Sequence, residues 1–576
     1  MKVSFVVPIF NTNYRILQIC INSILHAING RHELVIVDDG STDNQTIRFL
    51  EKCRSNEKFN ITVLTNPTNQ GVSYSLNRAI DVATGHYIAL VDHDDLVIRS
   101  GFEIAVKHLQ YYDCEWVYTN EMQVDAKGYL IRSLYKPAYS KQLLRSLMYI
   151  NHLQIFSKDL FETVGGYREG YEGSQDHDLA LRMTKFTEPK HVPYFAYQWR
   201  IMKTTQSRQD WIVSSHSVNS STQALKDYFN DFEGQVQIEV AKKGFSVYKC
   251  RPLPKKMPNF SIIIPTKLGT TRTINGLTIE LLDQCLNAIS ETLSQLDSIE
   301  NEPYSFECLL IVNEDDDLQY GQAILDKYGL HGKPIPDPGA FNFSRKCNLG
   351  AQHASGEILI FLNDDTKIIT KNWILDVVSL LSDADTACVG GMLLNPDGTV
   401  QSCGDNISLN SATHYSPNPD PSSEGDPMHR YWADHETTSI TGAFLACRKI
   451  SFFEIGEFRE VFANSFQDID FCLRARSSGF SCVISPHIKI IHYESSTRNP
   501  AVDNATIEAL RSFHQSTMAG KGQYNLWAYQ PIKVKWFSKS SIIDRLRRLR
   551  NLGLKLIKNL LRLYPYPRRR IKFFIK

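Results

Sequence analysis

Short, continuously apolar and β-branched runs recur along the 576-residue chain. Two of them open corresponding stretches, SFVVPIF at 4–10 and SIIIPTK at 261–267. A second run follows each, LVIVDD at 34–39 and CLLIVNE at 308–314. A third ends at an acidic cluster, YIALVDHDD at 87–95 and ILIFLNDD at 358–365. Strands without polar alternation are buried on both faces, the pattern of a parallel sheet covered by helices. Helical periodicity lies between the runs, as at 46–53, where Ser41 and Thr42 are the nearest N-cap candidates. The pattern predicts two doubly wound α/β domains.

The two stretches are copies of one unit. Asn77, Ala83, Gly85 and Asp94 recur as Asn348, Ala354, Gly356 and Asp365, each displaced by 271 positions, and QDHDLALR at 175–182 recurs as QDIDFCLR at 467–474. The expected organisation is a first domain at 1–205 and a connecting segment at 206–258 that ends in the Pro- and Lys-rich stretch 251–258. A second domain at 259–515 and a tail at 516–576 complete it.

Composition narrows the classes. With 42% hydrophobic residues the chain buries sizeable cores, which excludes disorder throughout. The apolar runs fall far short of the roughly 18–20 residues of a membrane-spanning helix, and Met1-Lys2-Val3-Ser4 enters a strand at once. A cytoplasmic protein is expected. The 12 cysteines are scattered singly from Cys20 to Cys482 without a CxxC pair, against a disulfide framework or structural zinc. The net charge of +1 is an average over unlike parts: residues 533–576 hold 15 Lys and Arg and one acid, Asp544, so a tail of +14 follows a body of −13.

In an open parallel sheet, ligands bind beyond the carboxyl ends of the strands. Three acidic groups per unit fall there. Asp38-Asp39 offers carboxylates to a base or ribose, but an Asp-Gly-Ser turn that starts a helix is the commoner role of such a sequence. Asp92-His93-Asp94-Asp95, matched by Asn363-Asp364-Asp365, crowds carboxylates at one strand end. A cation such as Mg²⁺ or Mn²⁺ would relieve that crowding; the plainer alternative is an exposed acidic turn. Asp176 and Asp468 open what looks like a helix, so they are either N-caps or general bases, and a duplicated cap would recur just as a duplicated base would. Neither GxGxxG nor GxxxxGK[ST] is present, so a dinucleotide fingerprint or P-loop is unsupported.

Together these residues resemble the family 2 glycosyltransferases of GT-A fold. In the first half the resemblance is carried by FVVPIFN, VIVDDGSTD, NQGVSYSLNRAIDVATGHYIALVDHDDL, EGSQDHDLALR and HVPYFAYQWR. In the second it rests on SIIIPTK, FNFSRKCNLGAQHASGEILIFLNDDT, LLNPDGTVQSCG, ITGAFLACR, FQDIDFCLRARSSGF and IHYESSTR. The tandem arrangement is similar to bacterial two-domain enzymes of surface-polysaccharide assembly, O-antigen included. It implies two Rossmann-like, nucleotide-diphospho-sugar transferase domains. It further implies nucleotide-sugar contacts at Pro8, Asp38, Asp39 and Asp92 in the first and at Pro265, Glu314 and Asp364 in the second. Mg²⁺ or Mn²⁺ is implied at Asp92 and Asp94, with Asp94 nearest, and at Asp365, with His492 a further ligand; alone, His492 would more often be structural. Asp176 and Asp468 are the implied bases, deprotonating an acceptor sugar hydroxyl that attacks the anomeric carbon with inversion. The implied partners are nucleotide-diphosphate sugar donors and an oligosaccharide or lipid-linked glycan acceptor.

The sequence departs from the family pattern in places. Gln175 and Gln467 stand where Glu is usual. Asn313-Glu314 replaces the VDxGS segment, which predicts that Glu314 takes over the nucleotide contact. Gln198 stands roughly where the second half has His492, predicting fewer protein ligands in the first. The stretch between metal-site acid and base is longer in the second half, mostly through 405–438, and is expected to shape a different acceptor site. One rival reading makes the second half a non-catalytic glycan-binding or scaffolding module. Another, nucleotidyl transfer to a sugar phosphate, predicts a Gly-rich basic loop after the first strand, and 8–14 contains neither Gly nor Lys.

In the tail, Ile542, Leu546, Leu549, Gly553, Leu556, Leu560 and Leu563 form one stripe of a helix, with Arg545, Arg547, Arg548, Arg550, Lys555, Lys558 and Arg562 on the remainder. A packed helix or short coiled coil fits the stripe, but like charges would repel in a homodimeric coil. A basic amphipathic helix lying on an anionic membrane at the inner face of the cytoplasmic membrane is the reading expected here. Nucleic-acid binding is not expected, since no recognition fold accompanies the charges.

Overall fold

The computed structural model describes residues 1–28, 30–201, 215–242, 245–274, 276–294, 305–314, 317–408, 411–493 and 504–519. The basic tail from 533 onward lies outside them.

Each half is built on one large sheet, and the two sheets share a strand order. In the first the order is Ile61–Thr65, Glu33–Asp38, Val3–Ile9, Tyr87–Leu90, Gln154–Ser157, Trp116–Asp125, Lys190–Ile201 and Leu96–Val97. In the second it is Gly332–Pro336, Phe306–Val312, Phe260–Pro265, Ile358–Leu362, Phe444–Arg448, Thr386–Leu394, Ser481–His492 and Thr366–Ile368. The first four strands of each order are mutually parallel; antiparallel pairings enter at Gln154–Ser157 and Phe444–Arg448, beyond which Trp116–Asp125 with Lys190–Ile201 and Thr386–Leu394 with Ser481–His492 are again parallel pairs. The apolar run predicted the parallel half of the sheet and not the mixed half, whose strands lie far apart in sequence.

The unalternating runs are buried because both faces are covered. Phe5, Val7 and Ile9 of the strand Val3–Ile9 pack with Leu17, Ile21 and Ile24 of the helix Tyr14–Ile28, while Val6 belongs to a cluster on the opposite face. That second cluster continues through Leu225 and Tyr248 of the connecting segment to Ile263 and Leu309 of the other half. Accordingly, residues 1–528 form one compact unit. The connecting segment is itself folded, with a helix at Ser215–Tyr228 and a hairpin of Gly234–Val240 with Tyr248–Pro254.

Polar contacts between the halves are complementary in sign. Asp376 accepts from Lys249 Nζ at 2.9 Å and Arg251 Nε at 2.9 Å, both on the hairpin. Asp383 pairs with Lys141 at 2.9 Å and Arg145 at 3.0 Å. Glu436 accepts from Gln142 N at 3.0 Å and from Ser140 Oγ at the start of the helix Lys141–Ser146. Glu436 belongs to the long stretch 405–438, so part of that insertion docks the halves.

Candidate active sites

The residue repeats divide into structural and site positions. Ser4 and Gly85, like Ser261 and Gly356, form a buckle at the end of the strands away from the acid cluster, closed by Glu33 and Glu307. A Cβ on Gly85 would lie 2.7 Å from Ser4 N, and one on Gly356 2.6 Å from Ser261 N. Asn77 clamps the backbone of Tyr167 with two hydrogen bonds of 2.8 and 2.9 Å, and Asn348 does the same to Phe458 at 2.9 and 3.0 Å. Each clamp fixes the loop that leads into the helix carrying Asp176 or Asp468. The second Asp of each QDxDxxLR motif is a strut: Asp178 binds Arg168 and Arg182, and Asp470 binds Arg459, Arg474 and His514.

In the first half, the strand Tyr87–Leu90 leads into Asp92, and the helix Gln175–Met183 brings Asp176 close enough to feel the Asp92 charge. Burial, with the Asp92 carboxylate added, raises the pKa of Asp176; the Tyr167 hydroxyl, donating at 3.1 Å, and Asn151 pull it partly back. A base with a raised pKa holds a proton more firmly at working pH, the tuning such a role needs. Asp94 sits further along the turn, a third exposed. Asp95 is structural, accepting from Tyr197 Oη at 2.8 Å and Arg200 N at 2.7 Å, and burial with Asp92 pushes it up to about 7. Sequence reasoning missed His152: its Nε2 lies 3.4 Å from Asp92 Oδ2 and its Nδ1 3.5 Å from Glu121 Oε2. No spacing signals it, because it reaches the acid cluster from the bend before the strand Gln154–Ser157, some sixty positions further along the chain.

In the second half, His492 Nε2 lies 3.3 Å from Asp365 Oδ1, and its Nδ1 lies 2.8 Å from Gln401 Oε1. Asp364 accepts from Thr266 Oγ1 at 2.8 Å beside Pro265, and burial with its neighbour Asp365 pushes it up to about 7. Asp468 is raised by burial and by the Asp405 carboxylate; Gly442 N, donating at 2.6 Å, opposes this. Asp405 in turn pairs with His414 at 2.7 Å, so the first part of the 405–438 insertion does border Asp468.

The nucleotide-side expectations change on inspection. Asp38 Oδ1 accepts from Ser41 N at 3.1 Å, the local turn contact, and the following helix is capped by Asp43 rather than Ser41 or Thr42. Pro8 pairs with Val37 inside the sheet. Asp39 is buried and accepts from Asn66 Nδ2, Gln70 N and Gly71 N at 2.7 to 2.9 Å, holding the 66–71 loop. Strand register puts Asn313, not Glu314, opposite Asp39, since Pro8 pairs with Val37 and Pro265 with Ile311. Glu314 is exposed. The buried acid has moved to Asp337, at the place of Asn66, bound by Arg345 at 2.9 and 3.0 Å, with Lys346 3.8 Å away where the first half has Ser75. The substitution carries its own cation, which a reading of the VDxGS segment alone does not reveal.

The donor sets suit a hard divalent ion. A carboxylate oxygen and an imidazole nitrogen stand 3.3 to 3.4 Å apart in each half, and Asn363 Oδ1 is buried without a hydrogen bond among the described residues. Oxygen with imidazole fits Mn²⁺ or Mg²⁺ sites that leave positions for phosphate and water.

The sequence model of Glycosyl transferase family 2 matches residues 4–165 and again 261–432, more than half of the chain. The chain belongs to glycosyl transferase family 2. Among relatives of this family 2 protein, y4gI of Sinorhizobium fredii is 27% identical over 507 residues, 86% of this chain and 53% of that protein. O-antigen biosynthesis protein RfbC of Myxococcus xanthus is 26% identical over 502 residues, 86% of this chain and 38% of its own. Hyaluronan synthase of Pasteurella multocida is 30% identical over 245 residues, 40% of this chain and 25% of that protein. The family 2 chain thus spans about half, or less, of the length of these relatives.

The Tyr167 hydroxyl has no counterpart at Phe458, which makes a pH test available. Tyr167→Phe removes a donor that favours the ionised Asp176, so if Asp176 serves as a base the acid limb of the rate that depends on it is expected to move to higher pH. A rate that depends on Asp468 should keep its limb in place. A pH–rate profile measured product by product checks this, and an unmoved limb would remove Tyr167 from any role in tuning the base.

Proposed function

We propose that the chain is a bifunctional, inverting glycosyltransferase with one active site in each of the domains 1–205 and 259–515, joined by 206–258. The observation that carries this reading is that each half holds both a strand-end acid cluster and a half-buried helix-start carboxylate of raised pKa, Asp92 and Asp176 in the first, where the Asp92 charge acts on Asp176, and Asp365 and Asp468 in the second. In each half the carboxylate takes the proton of an acceptor sugar hydroxyl as that oxygen attacks the anomeric carbon of a nucleotide-diphosphate sugar from the opposite side. A divalent cation held by Asp92 and Asp94, or by Asp365 and His492, would offset charge on the departing nucleoside diphosphate. Glu436 and the cationic contacts of Asp376 and Asp383 keep the halves in register. The test is transfer of labelled sugar from a panel of nucleotide sugars to oligosaccharide and lipid-linked acceptors, and absence of any transfer overturns the reading.

The names of the relatives, O-antigen biosynthesis and hyaluronan synthase, support a growing bacterial surface glycan as acceptor. No helix among the described residues is long and apolar enough to cross a membrane. Attachment of such an enzyme to the inner face of the cytoplasmic membrane is proposed through the basic tail. In vesicle flotation the full chain is expected to rise with anionic but not neutral vesicles, and truncation before Ser540 to abolish this. Equal binding to both vesicle types, or binding retained after truncation, would sink the idea.

A further inference from the structure

The two halves bring a histidine to the acid cluster from different strands. In the second, Thr366 pairs with His492 and Ile368 with Ile490; in the first, Val97, the counterpart of Ile368, pairs with Tyr197. The residue at the place of His492 is therefore Trp199, and Gln198 lies one position short of it, on the other face of its strand. The first half thus has no histidine there. It has His152 instead, just before the strand Gln154–Ser157, where register with Tyr87–Leu90 and Ile358–Leu362 gives the second half Ala443.

His152 is held as a metal-bound imidazole is held. Its ring stacks on Tyr197 with centroids 4.8 Å apart and planes 16° from parallel. Its backbone N donates to Glu121, and its carbonyl accepts from Lys136 Nζ at 2.7 Å. This leaves Nε2 directed at Asp92 Oδ2, 3.4 Å away, and Nδ1 directed at Glu121 Oε2, 3.5 Å away. Metal-ligating histidines almost always turn their second nitrogen to a carboxylate, carbonyl or water that fixes the ring. His492 shows the same relation, with Asp365 on Nε2 and Gln401 on Nδ1. The supporting residues differ with the histidine: Glu121 occupies the register position of Leu393. Two adjacent ligands of an octahedral ion at about 2.1 Å lie about 3 Å apart, close to both observed separations.

We propose that His152 is the imidazole ligand of the divalent cation in the first half, taking the part His492 takes in the second, with Glu121 as the group that orients it. This rests on the reading that each half uses such a cation.

The test uses the full chain with Mn²⁺ and UDP, with Mn²⁺ binding counted and electron spin-echo modulation from coordinated ¹⁴N recorded. The wild type is expected to bind two Mn²⁺ with nitrogen modulation. His492→Gln should keep part of the modulation, His152→Gln should keep part, and the double variant should lose all of it. His152→Gln should also weaken one of the two sites at least tenfold, while the other, unaffected, reports that the protein is folded; His152→Asn serves if Gln disturbs it. If His492→Gln alone removes all nitrogen modulation while two Mn²⁺ still bind, His152 is not a ligand and the cation reading survives. If the wild type binds no Mn²⁺, the cation reading itself fails and the assignment falls with it.

Discussion

Asp176→Asn is expected to lower one glycosyl product by at least about a hundredfold while leaving a second product unchanged, and Asp468→Asn to do the reverse. Asparagine keeps the size and the accepting oxygen: Tyr167 Oη can still donate to position 176, and Gly442 N to position 468. What it loses is the capacity to take a proton, so folding and donor binding should persist as turnover disappears. The measurement is chromatographic separation of products from labelled nucleotide sugars, with the KM for donor recorded beside the rate. If Asp468→Asn affects no product, the second half is a binding module. If either substitution removes both products, the chain has one composite reaction instead of two.

The second large effect concerns stability. Asp376→Ala should cost about 3–5 kcal/mol, because it leaves the buried Arg251 guanidinium and the Lys249 ammonium without their carboxylate. Breaking one partner of a buried pair is costly even where the whole pair contributes little. Asp385→Ala is the control: it meets the same half through Lys141 but is 73% exposed, so its loss should fall within about 0.5 kcal/mol. Urea unfolding followed by tryptophan fluorescence compares the two. Equal, small shifts would mean that the cationic contacts at Asp376 are not what joins the connecting hairpin to the second half.

Much of the fold was legible because its strands are local and unalternating. SFVVPIF and SIIIPTK announce buried strands, and the displacement of 271 announces a duplication, which the identical strand orders bear out. What stayed hidden is long-range. The mixed edge of each sheet pairs strands separated by many residues, and neither Glu121 beside His152 nor Asp337 beside Arg345 leaves a motif. Repetition was informative about ancestry and mute about role. Of the four residues repeated at 271, Gly85 closes a buckle because no Cβ fits, Asn77 clamps a loop, and Ala83 is packed in the core; Asp94 lies in the acid cluster. The QDxDxxLR motif divides similarly: in the first half its first Asp feels the Asp92 charge and its second is locked to two arginines. Duplicated glue and duplicated chemistry look alike until side chains are placed.

The carboxylates Asp376, Asp383, Asp385 and Glu436, which bind across the halves, all belong to the second half, and their donors all belong to the first half or the connecting hairpin. Contacts of this kind resist relative movement of the halves, and with it change in the span from Asp176 to Asp468. On the proposed two-site reading, a glycan elongated at both sites is expected to let go and return, or to be long enough to reach.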